Sequence, residues 1–411
     1  MKYQRMKSRE FDLVLYGATG FVGRLAAEYL ARHARLPQRR WAIAGRDRAK
    51  LEALRQRLDG RPEVRVADAQ DARALLALAA SARVVLSTAG PYALLGDALV
   101  DACVAARTHY ADITGEIAWV RSLIDRHHRR AEADGTRIVP FAGFDSVPSD
   151  LATLLVVRHL QRRLGVDPVR VDGYFRMFGG FNGGTIASDL HRRESGQIDI
   201  GRDPFLLDPD DGHSRAEIDR HRDPRGVRFD AEVDAWIGPF VMGPINTRVV
   251  RRSAALFSRS GEGYGPEFRY QEYTKYGAPL GHAKAAVVSA LMAGYDVAMS
   301  QPALRSWLKR LLPGPGSGPS EKTMEAGWFV AEVIGSAADG RHARAEIEFR
   351  GDPGNRATLR LLCEAGLCLA FDGKALPGAA SRGGVLTPAT ALGEALVPRL
   401  RSAGFRIEVS G

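Results

Sequence analysis

One stretch near the start of the chain constrains the fold most strongly. The sequence FDLVLYGATGFVGRLAAEYL, from Phe11 to Leu30, joins a short apolar run to a glycine turn and then to apolar residues spaced three or four positions apart. The run has the length and content of a buried strand, and the later spacing is that of an amphipathic helix. Strand, glycine turn and helix in this order favour dinucleotide binding. We therefore predict that a dinucleotide binds here.

The three glycines of this turn follow the spacing GxxGxxG, a relative of the GxGxxG pattern. Gly17 permits a tight turn, Gly20 lets the backbone approach a pyrophosphate, and Gly23 lets the helix pack closely on the strand. The helix N-terminus offers free N–H groups to the phosphates. A glycine turn also occurs for structural reasons alone, so the flanking strand and helix carry the prediction. The predicted contacts in this turn are Gly17, Thr19, Gly20, Phe21, Val22 and Gly23.

The end of the second predicted strand selects the cofactor. RWAIAG, Arg40 to Gly45, is followed by Arg46. An NAD site usually places a carboxylate here, whereas an NADP site needs room and a positive charge for the 2′-phosphate. Gly45 leaves room, and the Arg46 guanidinium can hold a phosphate in a bidentate way. Asp47 would favour NAD if its carboxylate pointed inward, but it also fits the cap of the next helix. We predict NADP(H).

The next two strands end in further cofactor contacts. EVRVA, Glu63 to Ala67, is followed by Asp68, which is placed to touch the adenine edge, unless Asp68 or Asp71 simply caps the helix that follows. RVVLS opens onto Thr88, Ala89, Gly90 and Pro91. Loops at the carboxyl ends of the strands line the ligand crevice of a doubly wound sheet. We therefore predict that these four residues pass the nicotinamide ribose.

The order of the elements predicts two domains. Strands and helices alternate over the first ~150 residues, which favours a parallel sheet covered on both faces. After residue 148 this rhythm weakens, and a predicted hairpin turn at Asp339-Gly340 indicates antiparallel pairs. Val233 to Val241 and Thr247 to Val250 carry strand-like content. We predict an α/β fold, with a Rossmann-type doubly wound parallel sheet over 1–148 and an α+β substrate or dimerisation domain with a mixed or antiparallel sheet over 149–384.

Several motifs together resemble a known family. They are GATGFVG, AGR, LSTAGPYALLG, YADITGE, GFDSVPSD and, near the C-terminus, GVLTPATALGEAL. In this order they resemble the saccharopine dehydrogenase-like NADP-binding family, and within it most closely the trans-acting enoyl reductases of actinobacterial polyketide and glycolipid biosynthesis. The resemblance implies that the final helix, Ala389 to Arg401, packs on the nucleotide domain. Residues 385–411 would then complete that domain.

Polar side chains collect at the strand ends where cofactor and substrate would meet. The hydride chemistry belongs to the cofactor, so the protein supplies position, an enolate-stabilising donor and a proton source. Side chains from three loops could serve, and alternatives stay open, because Asp112 and Asp145 could cap their turns and Tyr92 could only pack over the nicotinamide. The predicted catalytic residues are Tyr92, Asp112, Asp145 and Ser146, with Thr114 and Glu116 as further candidates.

Three functions are compatible with these motifs. The first is an NADPH-dependent enoyl reductase acting on a small-molecule or carrier-bound acyl substrate, with an acyl carrier protein or polyketide synthase as partner. The second is a C–N oxidoreductase of the saccharopine dehydrogenase type on an amino acid, whose carboxylates would need clustered arginines. Spacing shows no such cluster, and Arg176, Arg192 and Arg193 are the only candidates near a Gly-rich turn. The third is a non-catalytic NADP-binding scaffold.

Composition limits the partners. The net charge is +10, but the arginines are scattered and form no basic and aromatic stripe, so we expect no nucleic acid. The apolar segment Ala285 to Met299 contains Asp296 and is shorter than the ~20 residues of a membrane span. Peripheral membrane contact and a homodimer stay open.

The cysteines and histidines limit the cofactors and the compartment. Cys103, Cys363 and Cys368 have no zinc-ligand spacing, and His213 and His221 lack a third ligand, so we expect no metal. The odd number of cysteines favours a reducing compartment, and the first ten residues contain no apolar segment typical of a secretion signal. We therefore expect a cytoplasmic protein, with membrane association left open.

Overall fold

The computed structural model describes residues 9–33, 36, 40–179, 183–194, 201–208, 212–311, 314 and 316–411. The strands of the described residues form two seven-stranded sheets. The strands are β1 (Phe11–Tyr16), β2 (Trp41–Gly45), β3 (Glu63–Val66), β4 (Ala82–Ser87), β5 (His109–Asp112), β6 (Arg137–Val139), β7 (Pro168–Phe178), β8 (Arg228–Asp230), β9 (Ala235–Pro239), β10 (Tyr270–Tyr276), β11 (Trp328–Ala337), β12 (His342–Arg350), β13 (Gly384–Val385) and β14 (Arg406–Ser410).

Helices connect and cover these sheets. The α-helices are α1 (Phe21–Arg32), α2 (Arg48–Arg57), α3 (Ala72–Ser81), α4 (Tyr92–Leu95), α5 (Asp97–Ala106), α6 (Ile117–Asp134), α7 (Val147–His159), α8 (Gly183–Glu194), α9 (Arg215–Arg220), α10 (Gly243–Arg259), α11 (Gly281–Ser300), α12 (Pro302–Leu311), α13 (Glu321–Ala326), α14 (Thr358–Phe371), α15 (Pro388–Leu392) and α16 (Leu396–Ser402). Short π-helical turns cover Leu160–Leu164 and Pro353–Ala357, and 3₁₀ turns cover Ala379–Ser381 and Gly393–Ala395.

The first sheet is parallel throughout, in the strand order β13-β6-β5-β4-β1-β2-β3. All six residues of β1 are buried, because helices cover both faces of the sheet. Leu13 and Leu15 pack in one core, and Val14 and Tyr16 pack in the other. The predicted Rossmann-type sheet is confirmed.

One helix from the second half of the chain covers this first sheet. Helix α14 packs on α1, β1, β4 and β5. The approach is close, because a Cβ added to Gly366 would lie 2.6 Å from Leu86 Cδ2. Cys363 and Cys368 are buried in this helix as free thiols. The second half of the chain therefore supplies part of the core around the nucleotide sheet.

The second sheet is mixed, in the order β14-β12-β11-β7-β10-β9-β8. Strands β7 and β10 run parallel, and the other neighbours run antiparallel. Gly340, in the turn between β11 and β12, has a φ of +88°, which glycine adopts readily, so the predicted hairpin is confirmed. Helix α7 packs on this sheet, and a Cβ on Gly335 would lie 2.4 Å from Val156 Cγ1. The predicted mixed second sheet is also confirmed.

The C-terminal segment contributes to both sheets. Strand β13 pairs with β6 in the first sheet, whereas β14 pairs with β12 in the second. Helices α15 and α16 pack on α7 and α14, respectively, and a turn at Gly393 separates them. The division into residues 1–148 with 385–411, and 149–384, stays a prediction.

One predicted strand is wrong. Thr247 to Val250 lies inside α10, a seventeen-residue helix. β-branched residues favour strands only weakly, and tertiary packing outweighs that preference here. Arg248, Arg251 and Arg252 are buried and donate to the carbonyl oxygens of Asp203 (3.1 Å), Pro204 (3.0 Å) and Leu207 (2.6 Å), respectively. These hydrogen bonds hold the segment 201–208 against the helix.

A fully buried polar network joins α7, α10 and β10. The Asn246 amide donates to Ser149 Oγ (3.0 Å) and to Glu272 Oε2 (2.9 Å), and the Tyr270 hydroxyl donates to Glu272 Oε1 (2.6 Å). Ser146 donates to Asn246 Oδ1 at 3.0 Å. Burial raises the pKa of Glu272 to about 7. Burial therefore favours the protonated form of this carboxyl up to a pH of about 7.

The Glu272→Gln variant tests the protonation of this network. A carboxyl whose pKa rises on folding stabilises the fold at low pH and loses that contribution as pH increases through about 7. Gln does not titrate. Between pH 4.5, the ordinary pKa of a Glu carboxyl, and pH 7, we expect the free energy of unfolding of the variant to rise by about 3 kcal/mol relative to that of wild type. Denaturant unfolding over this pH range measures the difference, and a pH-independent difference would contradict the protonated carboxyl.

Candidate nucleotide-binding and active site

The glycine turn brings β1 and α1 into unusually close contact. Gly17 has a φ of +79°, and a Cβ on Gly23 would lie 2.2 Å from the Gly17 carbonyl oxygen. A Cβ on Gly20 would lie 3.3 Å from the same oxygen. Helix α1 begins after Gly20 with no side-chain cap and no acidic residue in its first turn. Its N-terminus therefore suits a pyrophosphate, and the residues fit a dinucleotide.

The loop after β4 is fixed against this turn. The Thr88 hydroxyl donates to the carbonyl oxygens of Tyr16 (3.2 Å) and Gly17 (3.1 Å). A Cβ on Gly17 would lie 2.9 Å from the Ala89 nitrogen. The peptide bond between Gly90 and Pro91 is cis. The structure thus brings the predicted ribose loop next to the predicted phosphate turn.

The side chains of Arg46 and Asp47, which follow β2, have different surroundings. Arg46 is exposed, and no hydrogen-bond or ion-pair partner is found for it among the described residues. Asp47 caps α2, because its carboxylate accepts from the Lys50 backbone N–H at 3.1 Å. The arrangement leaves the arginine available for a 2′-phosphate and engages the aspartate in the helix cap.

Asp68 lies near Arg46 and Tyr16, at the end of β3. Burial, with the Asp68 charge as a second cause, raises the pKa of Tyr16 to about 12, and Arg46 opposes that increase. The Asp68 carboxylate accepts from the Gln70 backbone N–H at 2.9 Å, whereas Asp71 caps α3. Asp68 is exposed. Its contact with an adenine edge stays a prediction.

Contacts within the protein hold both the side chain and the backbone of Tyr92. Its hydroxyl donates to the Ser87 carbonyl oxygen at 3.1 Å, and its ring stacks on Trp119 with centroids 5.6 Å apart. Its backbone N–H donates to Glu116 Oε1 at 2.9 Å. Burial raises the pKa of the phenol well above its ordinary value. These contacts favour a positioning role for Tyr92, and its assignment as catalytic stays a prediction.

Asp112 and Ser146 are both buried and bonded within the protein. Asp112 accepts from the Tyr110 hydroxyl (2.8 Å) and from the Thr114 backbone N–H (3.0 Å). Burial raises the pKa of Asp112 to about 7. Ser146 donates to Asn246, as described above. Both side chains order the loops in which they lie, and their catalytic assignment stays a prediction.

Asp145 differs from its neighbours. It is half-buried, and no hydrogen-bond or ion-pair partner is found for its carboxyl in the part of the chain that the structure describes. Burial alone raises its pKa to about 7. A Cβ on Gly115 would lie 3.5 Å from Asp145 Oδ2, so the carboxyl lies over the loop after β5. An unpaired carboxyl with this pKa can donate a proton near neutrality.

Sequence reasoning missed one residue of the site, Ser188 of α8. Its hydroxyl donates to Glu116 Oε1 at 2.8 Å. The Glu116 carboxylate also accepts from the backbone N–H groups of Tyr92 and Ala93, so it caps α4. No motif in the sequence marks Ser188, because the contact joins residues that are 72 positions apart. Helix α8 thus borders the predicted nicotinamide loop.

The arginines predicted for an amino-acid substrate do not converge where they are described. Arg193 donates to Asp189 (2.9 Å) and to Asp296 (2.8 Å), so its charge is neutralised. Arg176 is exposed on β7. The Arg192 side chain lies outside the described residues. Within the described residues, no group of three or more His, Cys, Asp or Glu side chains is placed to hold a metal ion.

Comparison with known proteins agrees with this geometry. Residues 13–139 match the saccharopine dehydrogenase NADP-binding domain. The fold is similar to that of a saccharopine dehydrogenase (L-Glu forming) from Saccharomyces cerevisiae, with a TM-score of 0.52, 13% identity, and coverage of 97% of this chain and 99% of that one. The fold and the site together define an NADP-dependent oxidoreductase of the saccharopine dehydrogenase-like class.

Two relatives place the chain more narrowly. It is 42% identical to a Mycobacterium tuberculosis protein named as a trans-acting enoyl reductase, over 98% of both chains. It is 38% identical to a trans-acting enoyl reductase of Mycobacterium bovis, over 96% of this chain and 97% of that one. The chain belongs to the family of trans-acting enoyl reductases. The predicted family, the NADP(H) cofactor and the oxidoreductase class are confirmed.

Two glycine variants separate folding from cofactor binding. Gly23→Ala places a methyl group against a backbone oxygen that cannot move away, so we expect a loss of roughly 1–3 kcal/mol or more of stability. Gly20→Ala places its methyl group 3.3 Å from the same oxygen, so a shift of a few tenths of an ångström relieves the contact, and the methyl group lies on the turn that would face the pyrophosphate. We expect Gly20→Ala to weaken NADPH binding at a nearly wild-type melting temperature. Thermal unfolding and nicotinamide fluorescence measure the two effects, and unchanged NADPH affinity in Gly20→Ala would contradict the placement.

Arg46→Ala tests the choice between NADPH and NADH. Loss of a charge-assisted contact with the 2′-phosphate should weaken NADPH binding about tenfold to a hundredfold. NADH binding should be weaker in wild type and barely changed by the mutation. The control is Arg48→Ala, which removes a neighbouring exposed arginine of α2. Fluorescence titration measures both affinities, and equal losses for the two variants would assign the effect to general charge.

Proposed function

We propose that the chain is an NADPH-dependent enoyl reductase that reduces a C=C bond conjugated with a carbonyl group in a polyketide or lipid intermediate. The observation that carries this proposal is its similarity, over nearly the full length, to proteins named as trans-acting enoyl reductases. That name favours a substrate presented by a separate carrier protein or polyketide synthase.

The proposed reaction needs a hydride, a proton and an anion-stabilising surface. When bound, NADPH supplies the hydride to the β carbon of the substrate. The C=C electron pair then moves toward the carbonyl, and the α carbon takes a proton to complete the saturated product. We assign that proton to Asp145, because its carboxyl is unpaired among the described residues and burial raises its pKa to about 7. Solvent would reprotonate Asp145 after each turnover.

The other predicted side chains would hold this arrangement. Glu116 caps α4 and bonds Ser188, so it fixes the Tyr92 loop relative to α8. Tyr92 and Thr88 place the loop along which the nicotinamide ribose would lie. We propose that the bound cofactor contacts the glycine turn, the loop after β4, Arg46 and Asp68.

We propose a carrier protein as the partner, and the cytoplasm as the location. The net charge of +10 favours a partner with an acidic surface. Free, buried cysteines are typical of a reducing compartment. In the described part of the chain, no helix has the length and apolarity that a membrane crossing requires. A homodimer is a further proposal that solution mass measurements would test.

The activity test uses an α,β-unsaturated acyl thioester and NADPH. We expect wild type to oxidise NADPH with formation of the saturated thioester. Asp145→Asn should lower kcat roughly 10²- to 10⁴-fold, with NADPH affinity unchanged, because only proton transfer is lost. Wild-type kcat should also fall as pH rises through about 7, where Asp145 loses its proton. This decline should be absent in the variant.

The control variant is Asp125→Asn, which changes an exposed carboxylate on α6 that pairs with Arg121. It should match wild type in kcat and in pH profile. Saturated product from Asp145→Asn at the wild-type rate would remove Asp145 from the proton step. Reduction of an imino acid, with no turnover of any enoyl thioester, would instead favour the C–N oxidoreductase. NADPH binding without turnover of either substrate class would favour the scaffold.

A further inference from the structure

Helix α11 presents an unusually apolar surface. It has 20 residues and therefore a length of about 30 Å. Its buried residues are Gly281, Ala285 and Met299, so the rest of its circumference is open or partly open. A helix that is apolar on most sides is normally covered. The most exposed aliphatic side chains on and next to it are Leu280 (74%), Val287 (58%), Leu291 (68%) and Val297 (63%).

The charges on this hairpin of α11 and α12 have one dominant sign. From residue 281 to 320, the sequence carries four basic residues against one acidic residue, Asp296. Asp296 accepts from Arg193 at 2.8 Å, and the same arginine also bonds Asp189 at 2.9 Å. The basic residues are Lys284, Arg305, Lys309 and Arg310; Arg305 lies 3.9 Å from Glu194, and the side chains of the last two lie outside the described residues. An apolar surface on a segment with this basic excess is complementary to a layer of anionic lipid headgroups.

The sequence of α12 has the pattern of an interfacial helix. Its apolar residues recur three or four positions apart, and no acidic residue interrupts them. Helices of this composition lie in the plane of a membrane surface, with Trp and Leu toward the acyl chains and Lys and Arg toward the headgroups. The apolar residues are Leu304, Trp307, Leu308 and Leu311.

We propose that α11 and α12 dock the protein on an anionic membrane surface without crossing it. A second copy of the chain is the other occupant that an apolar helix could take. That copy would carry the same net charge of +10 and the same basic excess on this segment, and like charges across an interface are costly. Lipid headgroups complement the charge, and the acyl region covers the apolar side chains. This inference stands independently of the reaction proposed above.

The proposed membrane-docking hairpin lies one helix away from the predicted active site. The Tyr295 hydroxyl of α11 donates to Asp189 of α8 at 3.0 Å, and Arg193 of α8 bonds Asp296 of α11. On the same α8, Ser188 bonds Glu116 of the site. A membrane bound to α11 would therefore lie near the catalytic loops. Such a location suits a substrate with a long apolar chain.

Vesicle co-sedimentation of the full chain tests the docking. We expect binding to vesicles of phosphatidylcholine mixed with phosphatidylglycerol, and much weaker binding to phosphatidylcholine alone. Added NaCl should weaken the anionic binding, because salt screens the attraction. The double variant Val287→Asp/Leu291→Asp should bind on the order of tenfold less or weaker, since two apolar side chains can no longer be buried. Lys284→Glu should reduce binding to the anionic vesicles only.

The matched control is Leu76→Asp, because Leu76 is a similarly exposed leucine (45%) on α3 of the nucleotide sheet. It should bind vesicles like wild type. Thermal unfolding and NADPH titration check that every variant is folded. Failure of wild type to bind anionic vesicles, or equal binding by the double variant, would overturn the proposal. A dimer by light scattering that the double variant converts to a monomer, without lipid binding in wild type, would assign the surface to a second copy.

Discussion

The structure depends first on the contact between α1 and β1 at the glycine turn. Gly23 has no room for a Cβ, because the Gly17 carbonyl oxygen would lie 2.2 Å from it. That approach aims the N-terminus of α1 at the carboxyl edge of the parallel sheet. Thr88 then bonds the same carbonyl, so the loop after β4 must lie beside the turn. One close backbone contact thus fixes the phosphate position and the ribose loop together.

Four acids of the structure share a raised pKa. Burial raises the pKa values of Asp112, Asp145, Asp150 and Glu272 to about 7. Three of them accept hydrogen bonds from neighbouring hydroxyl, amide or backbone groups. Asp145 is the exception among the described residues, since no such partner is found for it. The same physical cause therefore gives three groups that order loops and one that is free to exchange a proton.

The two sheets are held together by elements that cross between them. Helix α14 comes from the second half of the chain and covers the first sheet, while α7 follows the first sheet and packs on the second. Asp150 of α7 accepts from the Ala389 N–H at 2.7 Å, which attaches the C-terminal helices to the same place. The loop after β6 also contacts α14, because the Phe144 N–H donates to Thr358 Oγ1 at 3.2 Å. The position of that loop therefore depends on packing with the second half of the chain.

Local sequence determined the nucleotide half of the protein. The glycine turn, the buried strands and Arg46 act through residues close in sequence, and the structure brings the predicted turn and loop together. The strand predicted at Thr247 to Val250 is wrong, because the buried arginines and long-range packing stabilise that segment as part of a helix.

Tertiary structure alone decided how the candidate acids differ. Asp112 and Asp145 look alike in sequence, yet one is bonded to Tyr110 and Thr114 and the other is unpaired among the described residues. The contact of Ser188 with Glu116 and the exposure of α11 likewise arise from long-range packing. Burial and pairing depend on which distant segments meet, and no local pattern encodes that.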